Sequence, residues 1–514
     1  MLASVASAAV RGVESYLVRV EVNLASGLPS FAVVGLPEGA VREGRERVTA
    51  ALQNAGRPLP LRRITVNLAP ADVRKEGSAF DLPIALGLIA VAHDLDPARI
   101  QGWAFVGELG LDGRLRPVRG ALPIAEACRR GGLRGLVLPE ENAAEAAAVG
   151  GIEVIGAPTL AAVIAHLDGG PSLQPVTVDA RALLSDAADA AGSGPDLADV
   201  RGQGLARRAL EVAAAGGHNL LLIGPPGSGK TMLARRLPGI LPPLALDEAL
   251  SVTKVHSVAG RLPPGSALMT RRPFRAPHHT VSDAGLAGGG TPPRPGEVSL
   301  AHHGVLFLDE LPEFRRHVLE VLRQPMEDGS VVLARAGGPV RYPARFLLVA
   351  AMNPCFCAYW GDGTDRCTCD PARMARYRAR VSGPLMDRID LHVEVPAVPF
   401  DELSAGGTGE GSAVVRARVI AARERQRERF ADVEGIRCNA HMGPAELRRH
   451  VRPSPDVLAL LQRAIDRLGL SARAYHRMLK VARTIADLEK SDQLRLEHAA
   501  EAIQYRTRDR AAAG

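Results

Sequence analysis

Aromatic side chains are scarce in this chain: Phe, Trp and Tyr make up 4% of its 514 residues, and only two are tryptophan. Hydrophobic residues nevertheless reach 46%, so the cores must be built mainly from Ala, Val, Leu and Ile. A disordered chain, which would need fewer apolar residues and more net charge per residue, is excluded. Long apolar runs are also missing. The longest, residues 82–92, falls well short of the roughly 20 residues that a membrane helix requires. The first residues are small and apolar, but no basic residue precedes Arg11, which argues against a cleaved leader. Six cysteines in this length do not make a secreted disulfide framework. The expected placement is cytoplasmic, with no membrane partner. Lysine is the most telling shortage. Only Lys75, Lys230, Lys254, Lys480 and Lys490 occur, against 58 arginines.

The net charge of +7 is unevenly spread. Residues 1–170 hold 17 basic and 18 acidic side chains, and residues 171–200 hold one and five. Residues 201–400 hold 24 against 17, and residues 401–514 hold 21 against 16. A basic second half suggests a polyanionic partner, with nucleic acid the usual one, although arginines paired on solvated helices would give the same sum.

At roughly 100–200 residues per domain, the length suggests about three domains. Residues 1–170 read as an α/β domain, with strands near residues 16–22, 31–35, 64–68, 136–138 and 152–155. Helices fall near 41–53 and 82–91. Residues 171–200, mixed in Ser, Asp, Ala, Gly and Pro, read as a linker. Residues 201–400 alternate apolar runs with helical segments, as a doubly wound parallel sheet does. A Gly- and Ser-rich stretch at 401–412 precedes a helical C-terminal region to residue 514. Within it, the Arg- and Glu-rich stretch 414–430 reads as a solvated lid helix.

The chemistry begins after the apolar run 218–223. Gly224, Pro225, Pro226, Gly227, Ser228, Gly229, Lys230 and Thr231 match G-x-x-x-x-G-K-[ST], and a helical segment follows. Glycines let backbone N–H groups close around phosphates, and the helix N-terminus adds a favourable dipole. Lys230 then reaches the β- and γ-phosphates of ATP, and Thr231 offers its hydroxyl to Mg²⁺. In a chain that otherwise uses arginine, lysine stands where a compact, flexible point charge is needed. About 80 residues on, the apolar run 304–308 ends in Asp309 and Glu310. Asp309 would hold Mg²⁺ and Glu310 would orient the attacking water. A third apolar run, 345–352, ends at Asn353. Asn353 could hydrogen-bond the γ-phosphate or the water, or simply make an Asn-Pro turn. The order P-loop, Asp-Glu, Asn, then Arg388 is that of an AAA+ ATPase.

Cys355, Cys357, Cys367 and Cys369 form C-x-C, nine residues, C-x-C. Four thiols so close suggest a tetrahedral structural Zn²⁺ site. An iron–sulfur cluster and plain reduced thiols are the alternatives. Bound metal here would pin the loop that starts two residues after Asn353. The pairs His278–His279 and His302–His303 read as structural or loop residues rather than ligands.

The runs Phe-Arg-Ala-Pro-His-His-Thr at 274–280, Gly-Glu-Val-Ser-Leu-Ala-His-His-Gly at 296–304, and Ala-Met-Asn-Pro-Cys at 351–355 resemble the ComM (YifB) family, the magnesium-chelatase-like AAA+ proteins. The resemblance covers nearly the whole chain. It implies that Asn353 is the first sensor and that Arg388 is an arginine finger acting on a neighbouring subunit, the alternative being a salt bridge with Asp387 or Asp390. It implies that Arg473 touches the γ-phosphate, with Arg477 as competitor. A finger in trans implies a homo-oligomeric ring, expected to be a hexamer. Residues 255–300, with Arg271, Arg272, Phe274 and Arg275, read as an insertion. Residues 331–342, with Arg335 and Arg341, read as a hairpin turning at Gly337 and Gly338. In related motors such elements line a pore and grip DNA through salt-sensitive phosphate contacts, although inter-subunit ion pairs would use the same arginines.

The N-terminal domain resembles the Lon-protease-like (ribosomal-S5-domain-2-like) fold. Its serine column falls on Ala79, with Ser78 one place off, and its lysine column falls on Leu122. Without that lysine, Ser78 lacks a general base of the Ser–Lys kind, and peptidase activity is not expected. The implied task is helicase-type branch migration on branched or single-stranded DNA in homologous recombination and natural transformation. The alternative is a protein-remodelling or metal-chelatase-type ATPase.

Overall fold

Along Glu14–Ala25, burial alternates so that Val18, Val20, Val22 and Leu24 point inward. This period-two pattern is that of a strand with one face on a core. The computed structural model describes residues 2–37, 39–73, 75, 77–93, 95–189, 194–334, 338–360, 365–398 and 409–506. Glu14–Ala25 lies inside a seven-stranded mixed sheet. Its order is Ser30–Val34, Arg63–Ala69, Glu14–Ala25, Leu2–Arg11, Trp103–Phe105, Gly135–Pro139 and Glu153–Ala157. The helices expected near 41–53 and 82–91 are Gly39–Asn54 and Asp81–Ala92, the latter almost wholly buried.

Two strands of this sheet were not expected, Leu2–Arg11 and Trp103–Phe105. Leu2–Arg11 pairs antiparallel with Glu14–Ala25 along its whole length, from Leu2 opposite Asn23 to Arg11 opposite Glu14. Its Ala and Ser residues carry little strand propensity. Tertiary packing decides instead, since Ala8 is fully buried in a second layer with Ala104, Ile124 and Leu136.

The central domain holds a five-stranded sheet with every neighbouring pair parallel. Its order is Phe274–Arg275, Val305–Leu308, Leu347–Met352, Leu220–Ile223 and Leu391–Glu394. Parallel strands are covered on both faces, which is why these runs read as continuously apolar. Phe274–Arg275 is the edge strand of this sheet. The stretch 255–300 is therefore only in part an insertion. Leu286, Val298 and Ala301 pack into the core beside the sheet.

Residues 171–200 also depart from a plain linker. Ala180–Asp189 is helical, and Leu197 is fully buried. Asp196 accepts the backbone N–H groups of Ala198 and Ser412, tying this stretch to the start of the C-terminal region. That region is helical as expected, with helices Ser412–Arg429, Pro444–His450, Pro455–Leu468, Ala472–Leu488 and Leu496–Gln504. The first is no free solvated helix. It buries Val415, Val419 and Ala422 in the core that also holds the P-loop strand. Its Arg418 bonds Glu211 and Glu410.

The N-terminal and central domains are joined by an apolar cluster and two polar links. Val13 packs with Val255, Leu300, Val340 and Tyr342. Lys254 pairs with Glu126, and Ser257 bonds the buried Glu145. Among the described residues, no helix is long and apolar enough to cross a membrane.

Candidate functional site

The strand Leu220–Ile223 delivers the chain into the phosphate loop, and the helix Lys230–Ile240 takes it out. Two glycines make the turn possible. At Gly224, a Cβ would sit 2.0 Å from the Val395 carbonyl oxygen. Gly229 caps the helix with φ +90°, which few side-chain-bearing residues tolerate. Ser228 is buried, and its Oγ has no hydrogen-bond partner. A buried hydroxyl without a partner beside a helix N-terminus suits an anionic phosphate oxygen.

Lys230 Nζ donates to the Gly224 and Pro225 carbonyls at 2.7 and 2.8 Å and faces Asn353 Oδ1 at 3.4 Å. Burial pushes its ammonium below the usual lysine value, opposed by the charges of Asp309 and Glu310. Thr231 Oγ1 donates to Asp309 Oδ2 at 2.7 Å. The two expected Mg²⁺-binding side chains thus already meet. With the ion bound they would fix one edge of its shell, and the ion would neutralise phosphate charge.

The sheet order places these groups. The strand Leu347–Met352 lies between the P-loop strand and the Asp309 strand. Asn353, at its C-terminal end, therefore stands between Lys230 and Asp309. Glu310 has φ +52° and is well exposed. Its Oε2 lies 3.4 Å from His279 Nδ1. His279 stacks on His278 with centroids 4.1 Å apart. Sequence reasoning set His278 and His279 aside as loop residues. The signal missed was topological, since both follow the edge strand that neighbours the Asp309 strand.

Arg388 precedes the strand Leu391–Glu394, so it stands at the N-terminal edge of the parallel sheet, away from its own P-loop. Its pairing is neither of those expected. Nη2 pairs with Glu327, and Nη1 donates to the Pro384 carbonyl at 2.6 Å. Asp390 pairs with Arg477. Arg477 also donates to the Arg388 carbonyl at 2.8 Å, and Arg506 donates to the Ile389 carbonyl at 2.6 Å. Burial would push the Asp390 carboxyl up, but the Arg477 charge, His218 and Arg506 hold it well below the usual range. Arg477 is thereby committed within its own chain. Arg473 stands one turn earlier on the same helix, exposed.

The cysteine loop brings its four thiols together, all sulfurs lying within 4.8 Å of one another. Cys355 Sγ is 3.4 Å from Cys357 and 3.9 Å from Cys367, and Cys357 is 3.6 Å from Cys367. Tetrahedral Zn–S bonds of about 2.3 Å would set sulfurs about 3.8 Å apart, so the donor set fits such an ion. Tyr377, on the helix Pro371–Arg378 that follows the loop, hydrogen-bonds the Asn353 backbone, and burial pushes its phenol up to about 12. The loop and Asn353 are thus mechanically joined.

Several expected DNA contacts have internal partners instead. Arg272 bonds Glu248 and the carbonyls of Pro242, Pro243 and His303. Arg275 makes a two-pronged pair with Glu297 at 2.6 and 2.8 Å. Phe274 stacks on Phe307 at 6.0 Å. These three residues hold the edge strand in place. Arg271 and Arg341 are exposed, and Arg341 Nε donates to Ser330 Oγ at 2.9 Å. The hairpin pairs Ser330–Leu333 with Val340–Pro343 as expected. Arg335 and Gly337 lie outside the described residues. A cavity of about 640 Å³ opens at the opposite end of the sheet from the P-loop, between core and lid, with Arg272, His303, Arg423 and Cys438 in its walls.

Comparison with known proteins agrees with this layout. Family models described as "Subunit ChlI of Mg-chelatase", "Magnesium chelatase, subunit ChlI" and "Magnesium chelatase, subunit ChlI C-terminal" match residues 20–142, 196–403 and 409–506. Competence protein ComM of Haemophilus influenzae is 46% identical over 508 residues, 98% of this chain and 97% of that protein. The chain belongs to the ComM/YifB family. YifB of Escherichia coli is 44% identical over 513 residues, 99% of this chain and 98% of that protein. The magnesium-chelatase 38 kDa subunit of Rhodobacter capsulatus matches at 26% over 151 residues, 26% of this chain and 43% of that protein. This ComM/YifB member therefore carries a magnesium-chelatase-type AAA+ domain, a class that uses ATP and Mg²⁺ and works in oligomers.

Proposed function

We propose that this ComM/YifB member is an ATP-driven ring motor on DNA that carries out helicase-type branch migration in homologous recombination and natural transformation. One observation carries the motor reading: the sheet splits the catalytic set between its two edges. Lys230, Thr231, Asp309, Glu310 and Asn353 share the P-loop edge, whereas Arg388 sits at the other. Arg388 can meet a γ-phosphate only on a neighbouring copy, so the site is complete only in a ring, which we take to be a hexamer. Arg473, near Arg388 on the lid, would act across the same interface.

In this reading Lys230 and the loop N–H groups hold the phosphates, Glu310 aligns the water, Asn353 senses the γ-phosphate, and Arg388 offsets charge in the transition state. Cys355, Cys357, Cys367 and Cys369 hold a structural Zn²⁺ that stiffens the backbone beside Asn353. The DNA task is supported by the name of the competence protein relative and by the basic second half, with Arg271 and Arg341 as surface candidates and Arg335, outside the described residues, as a candidate from the sequence alone. The N-terminal domain, with Ala79 and the buried Leu122 in the Lon-type columns, serves assembly or guidance of the DNA.

A remodelling or chelatase-type ATPase is the second reading, favoured by the three magnesium-chelatase matches. ATPase rate with and without branched DNA at two salt concentrations separates them. The motor reading expects stimulation that weakens with salt. If DNA neither binds nor stimulates, that reading is lost.

A further inference from the structure

The segment that carries the four cysteines also gathers aromatics, in a chain where Phe, Trp and Tyr total only 4%. Phe356, Tyr359 and Trp360 lie within five residues, and each ring is covered by a guanidinium. Arg373 lies over Phe356 at 4.5 Å, Arg366 over Tyr359 at 4.6 Å, and Arg378 over Trp360 at 5.3 Å. None of the three rings belongs to the apolar cores of the described residues. Phe356 is 53% exposed, and the other two are half-buried.

The loop itself holds Asp362, Asp365 and Asp370 against Arg366, but the helix that follows it is basic. No acidic residue occurs from Pro371 to Met386, while Arg373, Arg376, Arg378 and Arg380 do. Arg380 is taken by Glu313, and Asp370 is occupied in capping the helix through the Arg373 N–H. Arg373 and Arg376 remain exposed on that helix. Rings interleaved with guanidinium groups on a basic surface are what single-stranded nucleic acid uses: bases stack on rings and guanidinium planes, and arginines take the phosphates.

We infer that this face of the cysteine loop is a docking surface for single-stranded DNA, with Phe356, Tyr359 and Trp360 as its stacking platform. This rests on the DNA-motor reading and gives it a contact point that begins three residues beyond Asn353, so that strand engagement bears on the γ-phosphate sensor through the loop. Shielding of the metal by the rings, or contact with a neighbouring subunit, are the competing uses of the same residues.

The two tryptophans make the test direct. Trp103 is buried in the N-terminal domain, so Trp103→Phe leaves Trp360 as the sole tryptophan. The full-length variant is titrated with an oligo(dT) strand, and Trp360 emission and the anisotropy of a labelled strand are followed together. Stacking predicts quenching that tracks the anisotropy curve. Phe356→Ala and Arg373→Ala should each lower affinity about tenfold, with ring size and zinc content retained. If the strand binds by anisotropy while Trp360 is unmoved and both variants bind as the parent does, the surface is wrong and the motor reading stands. If no strand binds at all, both fall. If a variant loses ring size or zinc while its affinity holds, the rings serve assembly or the metal instead. Arg373→Ala, which keeps all three rings, separates docking from misfolding of the loop.

Discussion

The two edges of the five-stranded parallel sheet are built by opposite logics. The P-loop edge is nearly self-sufficient: Lys230 already meets Asn353, and Thr231 already meets Asp309. The opposite edge holds Arg388 by its neighbours, with Glu327 on the side chain and Arg477 and Arg506 on the adjoining backbone carbonyls. One edge prepares to receive a nucleotide. The other presents a cation held by core residues, with lid arginines bonded to the backbone beside it. Parallel strands force this separation, because the loops before and after a strand emerge at its opposite ends.

The sharpest way to break the comparison is to remove Arg388. Arg388→Ala should cut ATP turnover about a thousandfold, and mixing it with Lys230→Ala subunits should restore part of the rate. Each parent is inactive, but mixed interfaces recombine an intact Lys230 with an intact Arg388. No recovery in mixed rings would mean that Arg388 acts within its own chain. Lys230→Ala alone should lose about a hundredfold, measured as phosphate release. Retained turnover would remove the P-loop assignment.

Cys367→Ser should lower bound zinc and reduce Tm by roughly 5–10 °C. Unchanged metal content and melting would show that the thiols hold no ion.

A pH experiment addresses the lid-held edge. The folded Asp390 carboxyl is held below its unfolded value of about 3.9. The stability it contributes is therefore present above about pH 4 and declines as the pH falls below that toward the folded pKa. Denaturant midpoints between about pH 2 and 4 should fall more steeply for the parent than for Asp390→Asn. Parallel slopes would show that Asp390 is not specially held. The smallest effect concerns the hairpin. Arg341→Ala should reduce the log–log salt slope of DNA binding by about 0.9, and an unchanged slope would remove Arg341 from the DNA path.

Much of the candidate nucleotide site was legible because phosphate chemistry tolerates little variation in residue and spacing. The P-loop, Asp309, Asn353 and the four cysteines could be read one residue at a time, and the sheet brings together those that chemistry required to meet. Arg272 and Arg275 were misread for a general reason. A guanidinium in a Gly- and Pro-rich segment looks the same whether it meets a phosphate, a carboxylate or three carbonyls. Only the folded neighbours distinguish them. The first strand escaped notice because its Ala and Ser residues owe their conformation to the layer behind them. His279 escaped because its proximity to Glu310 arises from strand order, which no local window contains.

The contact of Val13 with Val340 and Tyr342 has a mechanical consequence. The hairpin Ser330–Leu333/Val340–Pro343 cannot swing alone without opening that apolar seam to water, at a cost of about 25 cal/mol for each Å² exposed. Any stroke of the hairpin is thus geared to the seven-stranded domain. In the proposed motor, the hairpin would act as a short lever arm with that domain as its load.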